Sequence, residues 1–446
     1  MKVDCLVAEI GSTTTVINAF NLHQEVAFLG RGLHQTTVET DVTTGLMNAI
    51  EDLKHNLAVE TLEYDAMYAS SSAAGGLKIT VHGLVYEMTA RAAKEAALGA
   101  GANIHLITAN RLTPEHIEKI KAVRPNMVVI AGGTDYGEKE VAWQNLLDSI
   151  ELGIPVIYTG NIANHERIKK LQHPSLFVVE NVYPRVDDFN ILPLRKAIYE
   201  TFEQNIIHAA GMQRIFEMVD HTIIPTPGAV MDATILLDDM SEGVMTLDVG
   251  GATTDVHTIA DPKPEYRKYL EGEPRMKRTV EGDLGVYINR SHVMESFKTG
   301  ELERLMGMKM DDIRVLMQEE PFIPVTEPGK KLISLLTRQC VYQAMDRHVG
   351  DLRRVFTSSG VKIIPDGKDA TQVKMIVLTG GALLYEHDAP AIIKTYLERS
   401  HTKLAPDPSV PVYLDHDYIL ASIGVLSHHH PEAAKILLKQ TLRWKG

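Results

Sequence analysis

The sequence predicts an α/β protein made of two similar halves, with a small parallel α/β domain inserted into the first. Three observations predict it. A strand–turn–strand pattern near 3–20 returns at 244–259. A third related strand, Val373 to Leu378, again runs into a Gly-Gly turn. Between about 103 and 185, short apolar runs alternate with helical patterns, the rhythm of parallel βαβ units.

The opening strand is Val3 to Ile10, a β-branched run that stops at Gly11-Ser12-Thr13-Thr14-Thr15 before Val16 to Phe20 resumes it. Residues 43–57 and 84–98 carry helical patterns on either side of a short strand, Met67 to Ser70. Strands are expected at 104–108, 127–130, 156–159 and 176–180, with helices at 113–123, 137–152 and 163–171 between them. Thr113 followed by Pro114 is a helix start, because the hydroxyl caps and Pro fits the first turn. A helix at 192–210 follows, and Pro225-Thr226-Pro227-Gly228 punctuates the chain before a helix from Val230. Val244 to Val249, the turn Gly250-Gly251-Ala252-Thr253-Thr254 and Asp255 to Ile259 repeat the opening. This reading places the first lobe at 1–102 and 186–238, the insert at 103–185 and the second lobe at 239–446.

At 446 residues the chain is long enough for two or three cores. Its formal charge of -13 disfavours nucleic acid and acidic membranes as partners. Cys5 and Cys340 are its only cysteines, which excludes a disulfide framework and a Cys-based metal cluster and fits a reducing, cytoplasmic setting. Asp4 and Glu9 interrupt any apolar signal region, and no apolar run is long enough for a membrane span.

The chemistry concentrates in three Gly-containing turns: Glu9-Ile-Gly11-Ser12-Thr13-Thr14, Asp248-Val-Gly250-Gly251-Ala252-Thr253-Thr254-Asp255, and Leu378-Thr-Gly380-Gly381-Ala382. Glycine lets successive N–H groups converge on an anion, and hydroxyls add donors. An acid just before such a turn would repel a phosphate unless a divalent cation stood between them, so Glu9 and Asp248 are read as holders of a hydrated Mg²⁺. Any one of these turns is equally well a tight hairpin. Three in this order, widely separated, are far more specific. No Walker-type phosphate loop and no dinucleotide-binding fingerprint occurs.

In this order the segments resemble the actin, sugar kinase and heat-shock chaperone superfamily, whose fold is a duplicated ribonuclease-H-like ATPase. Gly250-Gly251-Ala252-Thr253-Thr254-Asp255 is close to the chaperone form of the second phosphate loop. Met375 to Leu384 resembles the adenosine motif, and Tyr418 to Leu426 resembles the helix that closes the fold. More narrowly, VAEIGSTTT at 7–15, SSSAAGGL at 70–77, VIAGGTD at 129–135, TLDVGGATTDV at 246–256 and RTVEGDLG at 278–285 resemble the glutamate mutase accessory (GlmL/MutL) proteins. The resemblance implies an ATPase chaperone that helps exchange damaged cobalamin out of an adenosylcobalamin-dependent mutase. It implies that Gly11, Ser12, Thr13 and Thr14 contact phosphates, that Gly250 to Thr254 form the second loop, and that Gly380, Gly381 and Ala382 border adenosine. Asp248, Asp255, Glu281 and Asp283 are the candidates for general base. Most of the superfamily has Asp where this chain has Glu9, which bears on hydrolysis more than on binding.

The chain has no D-x-H-x-x-G, so it offers no cobalamin-ligand motif of its own. ATP, ADP and Mg²⁺ are the expected ligands and a mutase subunit the expected partner. A small-molecule kinase, a hydantoinase-like ATP-dependent amidohydrolase and a polymerising scaffold are the alternatives. Two features stay open: Ala131-Gly132-Gly133-Thr134-Asp135 is an anion site or a plain βα turn, and His428-His429-His430 reads as a surface cluster.

Overall fold

In the computed structural model, the described residues are 1–444 apart from 24, 38–40, 73–76, 101, 187, 207–210, 221–222, 271–272, 322 and 358–359. They fall into two units, Met1–Asp232 with Gly424–Ala433 and Ala233–Ile423 with Ala434–Gly446.

The first unit opens with β1 (Lys2–Ile10), β2 (Thr14–Asn21), β3 (Ala27–Gln35) and β4 (Glu63–Ser71). A second group follows: β5 (Leu77–Gly83), β6 (Ala102–Ala109), β7 (Met127–Ile130), β8 (Val156–Tyr158) and β9 (Leu176–Val178). The short β10 (Ile224–Pro225) then joins the first group, giving a sheet in the order β10-β4-β1-β2-β3. Within it β1 to β3 form an antiparallel meander, and β4 and β10 run parallel to β1. From Leu6 to Ile10, β1 is buried on both faces. This explains why it is a continuous apolar run interrupted only by Glu9.

The second unit contains β11 (Val244–Val249), β12 (Thr254–Ile259), β13 (Met276–Glu281), β14 (Asp351–Thr357), β15 (Gly360–Asp366), β16 (Met375–Thr379) and β17 (Val412–Leu414). Its main sheet has the order β13-β12-β11-β16-β17. The meander β11-β12-β13 is antiparallel, and β16 and β17 run parallel to β11. The two sheets are therefore the same arrangement, third-second-first-fourth-fifth, built twice. The strands β14 and β15 stand apart as a two-stranded hairpin.

The parallel sheet of the first unit has the order β6-β5-β7-β8-β9. It includes a strand that lies before the expected insert start at 103. The sheet begins at Leu77 in β5, a central strand, and not at residue 103. The signal was missed because LKITVHG is short and follows a Ser/Gly-rich run read as a turn. Ala73-Ala74-Gly75-Gly76 of that run lies outside the described residues. The second compact unit begins at Ala233, and 424–433 groups with the first unit.

Local signals fared better. Thr113 caps Pro114–Val123 with its hydroxyl accepting from the His116 N–H. The helix after the Pro225–Gly228 punctuation begins at Thr226 and runs to Ser241. Pro227 sits in its first turn, where no intrahelical N–H is required. The closing helix is Leu420–Ser427, and a Cβ on Gly424 would stand 1.8 Å from the Ala229 carbonyl oxygen, so only Gly fits that approach. The 22-residue helix Glu327–His348 was not expected; it supplies much of the second core through Leu336, Cys340, Val341, Ala344 and Met345.

Candidate functional site

The first turn is closed by the Gly11 N–H donating to the Thr14 carbonyl at 3.0 Å. A Cβ on Gly11 would meet that same oxygen at 2.7 Å. Glycine is needed there for space, since its φ is not positive. The Thr13 carbonyl accepts from the Thr36 N–H at 2.9 Å, and Ser12 Oγ donates to the Ser72 carbonyl at 3.0 Å. Beneath the turn, Thr15 Oγ1 and Thr36 Oγ1 lie 2.9 Å apart in the core. Glu9 is buried at the end of β1, opposite Val16 across the hairpin and beside Ser70 of β4. Among the described residues the N–H groups of Ser12 and Thr13 donate to no backbone carbonyl.

The second turn repeats this closure. The Gly250 N–H donates to the Thr253 carbonyl at 2.9 Å. Asp248, Gly250 and Thr253 thus hold the places of Glu9, Gly11 and Thr14. The carbonyls of Gly250, Gly251 and Ala252 are turned to one flank, where they accept from Val286, Tyr287, Ile288 and the Asn289 side chain. Among the described residues the N–H groups of Gly251 and Ala252 donate to no backbone carbonyl. Thr254 Oγ1, buried like Thr15, donates to the Leu284 carbonyl at 2.7 Å.

The electrostatics of this turn are its own. Asp248 lies opposite Asp255 across the hairpin. Protein surrounds Asp248 on nearly every side while its side chain keeps a solvent edge. Burial and then the neighbouring Asp255 push its carboxyl up to about 7, against the pull of Arg278. Asp255 is buried and paired with the fully buried Arg278, Nη2 to Oδ1 at 3.0 Å. Its other oxygen accepts from Thr253 Oγ1 at 3.4 Å. Glu281 and Asp283 share Arg347, which bridges Asp283 at 2.8 and 3.0 Å and also contacts Glu281. Burial raises the Glu281 carboxyl, whereas Arg347 holds Asp283 below its usual range.

The third turn touches the second. Thr379 pairs with Asp248 in the β11–β16 register, and Gly380 has φ of 94°. A Cβ there would lie 2.5 Å from Asp248 Oδ1 and from the Val249 carbonyl oxygen, so residue 380 must be glycine. Gly381 opens the short helix Gly381–Leu384 and has open space where a Cβ would stand; Ala382 follows it.

Three residues were missed by sequence reasoning. Arg278 stands inside RTVEGDLG but its pairing spans 23 residues. Arg347 lies on the unexpected helix and has no local signal. Asp415 did have one, an acid a few residues before a helical pattern. Its carboxylate accepts from Thr379 Oγ1, Thr441 Oγ1 and the N–H groups of Ile419 and Leu420, and burial still raises its proton affinity.

The structure places two further features. The turn after β7 is filled by protein: Asp135 accepts from Ile162 N and Asn181 Nδ2, and a Cβ on Gly133 would stand 1.8 Å from the Glu138 carbonyl oxygen. The His run is on the surface, yet engaged: His428 contacts Asp232 at 2.8 Å, His429 stacks on Tyr68, and His430 lies 3.1 Å from the Tyr68 hydroxyl. Among the described residues no group of three or more His, Cys, Asp and Glu is arranged to hold a metal ion, and no helix is long and apolar enough to cross a membrane.

A ribonuclease-H-like sheet built twice, with a Gly-hydroxyl turn at the same place in each copy, defines a protein of the actin-like ATPase fold. The sequence matches the MutL protein family over residues 5–442, and the chain belongs to that family. It is 33% identical to Protein MutL of Clostridium tetanomorphum over 460 aligned positions, covering 98% of each chain. Among solved structures, a nucleotide-free acetone carboxylase aligns at TM-score 0.40 and 13% identity, over 95% of this chain and 70% of that one. A nucleotide-free diol dehydratase-reactivating factor aligns at 0.36 and 11%, over 96% and 100%.

Proposed function

We propose that this chain is an ATP-dependent reactivating factor for an adenosylcobalamin-dependent mutase of the glutamate mutase kind, promoting release of damaged cobalamin. Membership of the MutL family supports the choice of client. The observation that carries the nucleotide reading is the repeated turn, closed by Gly11 to Thr14 and by Gly250 to Thr253.

The residues present fit the ligand. Gly251 and Ala252 turn their carbonyls away and keep N–H groups for an anion, and Ser12 and Thr13 keep theirs. Asp248, crowded by Asp255, fits a cation that would lower its proton affinity. Glu9 and Asp248 would hold hydrated Mg²⁺, Gly11 to Thr14 and Gly250 to Thr254 the phosphates, and Gly380, Gly381 and Ala382 the adenosine. Bound ATP supplies the phosphoanhydride whose hydrolysis drives the cycle. Of the four acids read as general base, Glu281 and Asp283 are committed to Arg347, and Asp255 to Arg278. Asp248, the acid beside the proposed Mg²⁺, would act by orienting water on that cation rather than as a base of raised proton affinity.

The client would meet the carboxyl edge of the parallel sheet, where Tyr136, Ile162 and Val186 stand exposed on the loops after β7, β8 and β9. The test is rescue. Glutamate mutase inactivated with hydroxocobalamin is incubated with the chain, adenosylcobalamin and Mg²⁺. Activity should return with ATP and fail to return with a non-hydrolysable analogue. Equal recovery without nucleotide would overturn the reading.

A further inference from the structure

The hairpin β14–β15 is built unlike the rest of its unit. Its base is tied down: Gly350 N donates to the Lys368 carbonyl, Leu352 N to Thr402, and Leu404 N to Gly350, at 2.7 to 2.8 Å. Beyond that base β14 and β15 pair with each other, from Arg353↔Ile364 to Thr357↔Gly360. Among the described residues no other strand joins β15 along its outer edge. Val355, Val361 and Ile363 are 39%, 56% and 60% exposed. A lone two-stranded ribbon with apolar side chains in water is marginal, so something should cover it.

Charge identifies what covers it. Between 352 and 365 the sequence has Arg353, Arg354 and Lys362 and no acid, in a chain of net charge -13. Arg353 is paired with Asp366 at the base, 2.6 Å away. Arg354 and Lys362 form no ion pair among the described residues and are exposed. A second copy is a poor occupant. Antiparallel pairing of β15 with its own image would set Lys362 near Lys362 and bring two acidic chains together.

We infer that the hairpin 351–366 is a docking arm for a different protein, one that presents an acidic, partly apolar strand to the open edge of β15. Backbone pairing would supply the affinity, Val361 and Ile363 on one face the apolar contact, and Lys362 on the other face the selection for acid, with Arg354 adding to the positive field. This inference is independent of the nucleotide reading.

The test uses the full chain and fluorescein-labelled eight-residue peptides alternating Val with Glu, or Val with Lys. The acidic peptide should bind in fluorescence anisotropy, at least tenfold tighter than the basic one, and weaken as salt rises. Charge reversal by Arg354→Glu with Lys362→Glu should reduce its binding at least tenfold without moving the melting temperature. An acidic peptide N-methylated on alternate residues should bind at least fivefold more weakly to the unmodified chain. Equal binding of the two peptides, or of the methylated and unmethylated forms, would overturn the docking edge whatever the variant does. A dimer in sedimentation velocity that dissociates in the variant would overturn it too, by making a second copy the occupant.

Discussion

The turn at 9–14 and the turn at 248–253 have the same backbone and different charge. Each is closed by a glycine N–H on a threonine carbonyl three residues later, and each rests on a buried threonine hydroxyl, Thr15 or Thr254. Yet the residue facing Glu9 across its hairpin is Val16, while the residue facing Asp248 is Asp255 with Arg278 behind it. Duplication kept the geometry that can hold an anion in both copies. In the second copy the buried Asp255–Arg278 pair stands across from Asp248, whose carboxyl is raised first by burial and then by Asp255, against the pull of Arg278. The two turns thus share a backbone and differ in what faces the acid at their start.

The largest way to break this comparison is Arg278→Met. Removing one partner of a buried pair leaves Asp255 uncompensated and should cost about 3–5 kcal/mol in urea unfolding. A cost equal to that of a surface substitution would mean the buried pair is not what distinguishes the second turn. Gly380→Ala comes next. Its Cβ collides with Asp248 and the chain is held at positive φ, so a loss of about 2–3 kcal/mol is expected, with weakened nucleotide binding.

A second pairing sharpens the contrast between units. Each buries one neutral histidine between two threonine hydroxyls: His82 with Thr80 and Thr108, and His348 with Thr258 and Thr279. Burial lowers His82 to about 3 and His348 well below its ordinary value. The unfolded rings bind protons below about pH 6.5 and the folded ones do not. Their contribution is therefore whole above that pH and is lost as pH falls toward the folded values. Each should remove about 1.4 kcal/mol per pH unit in that window. Urea unfolding at pH 6.5 and 5.5 checks this, and His82→Gln should halve the combined slope. The smallest effect is expected for Thr15→Val, about 1 kcal/mol, from its hydrogen bond to Thr36.

Much of this was legible before the structure. The strands 127–130 and 244–249 match their expected bounds, because each is a buried apolar run followed by small residues, Ala131-Gly132-Gly133 and Gly250-Gly251. The turns and their acids were legible because they are contiguous. What escaped was long-range or two-sided. Arg347 acts on Glu281 from 66 residues away. The strand β5 carries too little length to stand out beside a Gly-rich run, and it becomes central only through its neighbours β6 and β7. The need for glycine at 11 is one of close backbone approach, to the Thr14 carbonyl.

The proposed function requires both turns for binding of Mg²⁺–nucleotide. Titration calorimetry of ATP into the chain, with Mg²⁺ and with EDTA, tests it most directly. Binding should require Mg²⁺ and weaken at least tenfold in both Glu9→Gln and Asp248→Asn. Binding that ignores Mg²⁺, or that survives both substitutions unchanged, would contradict the account.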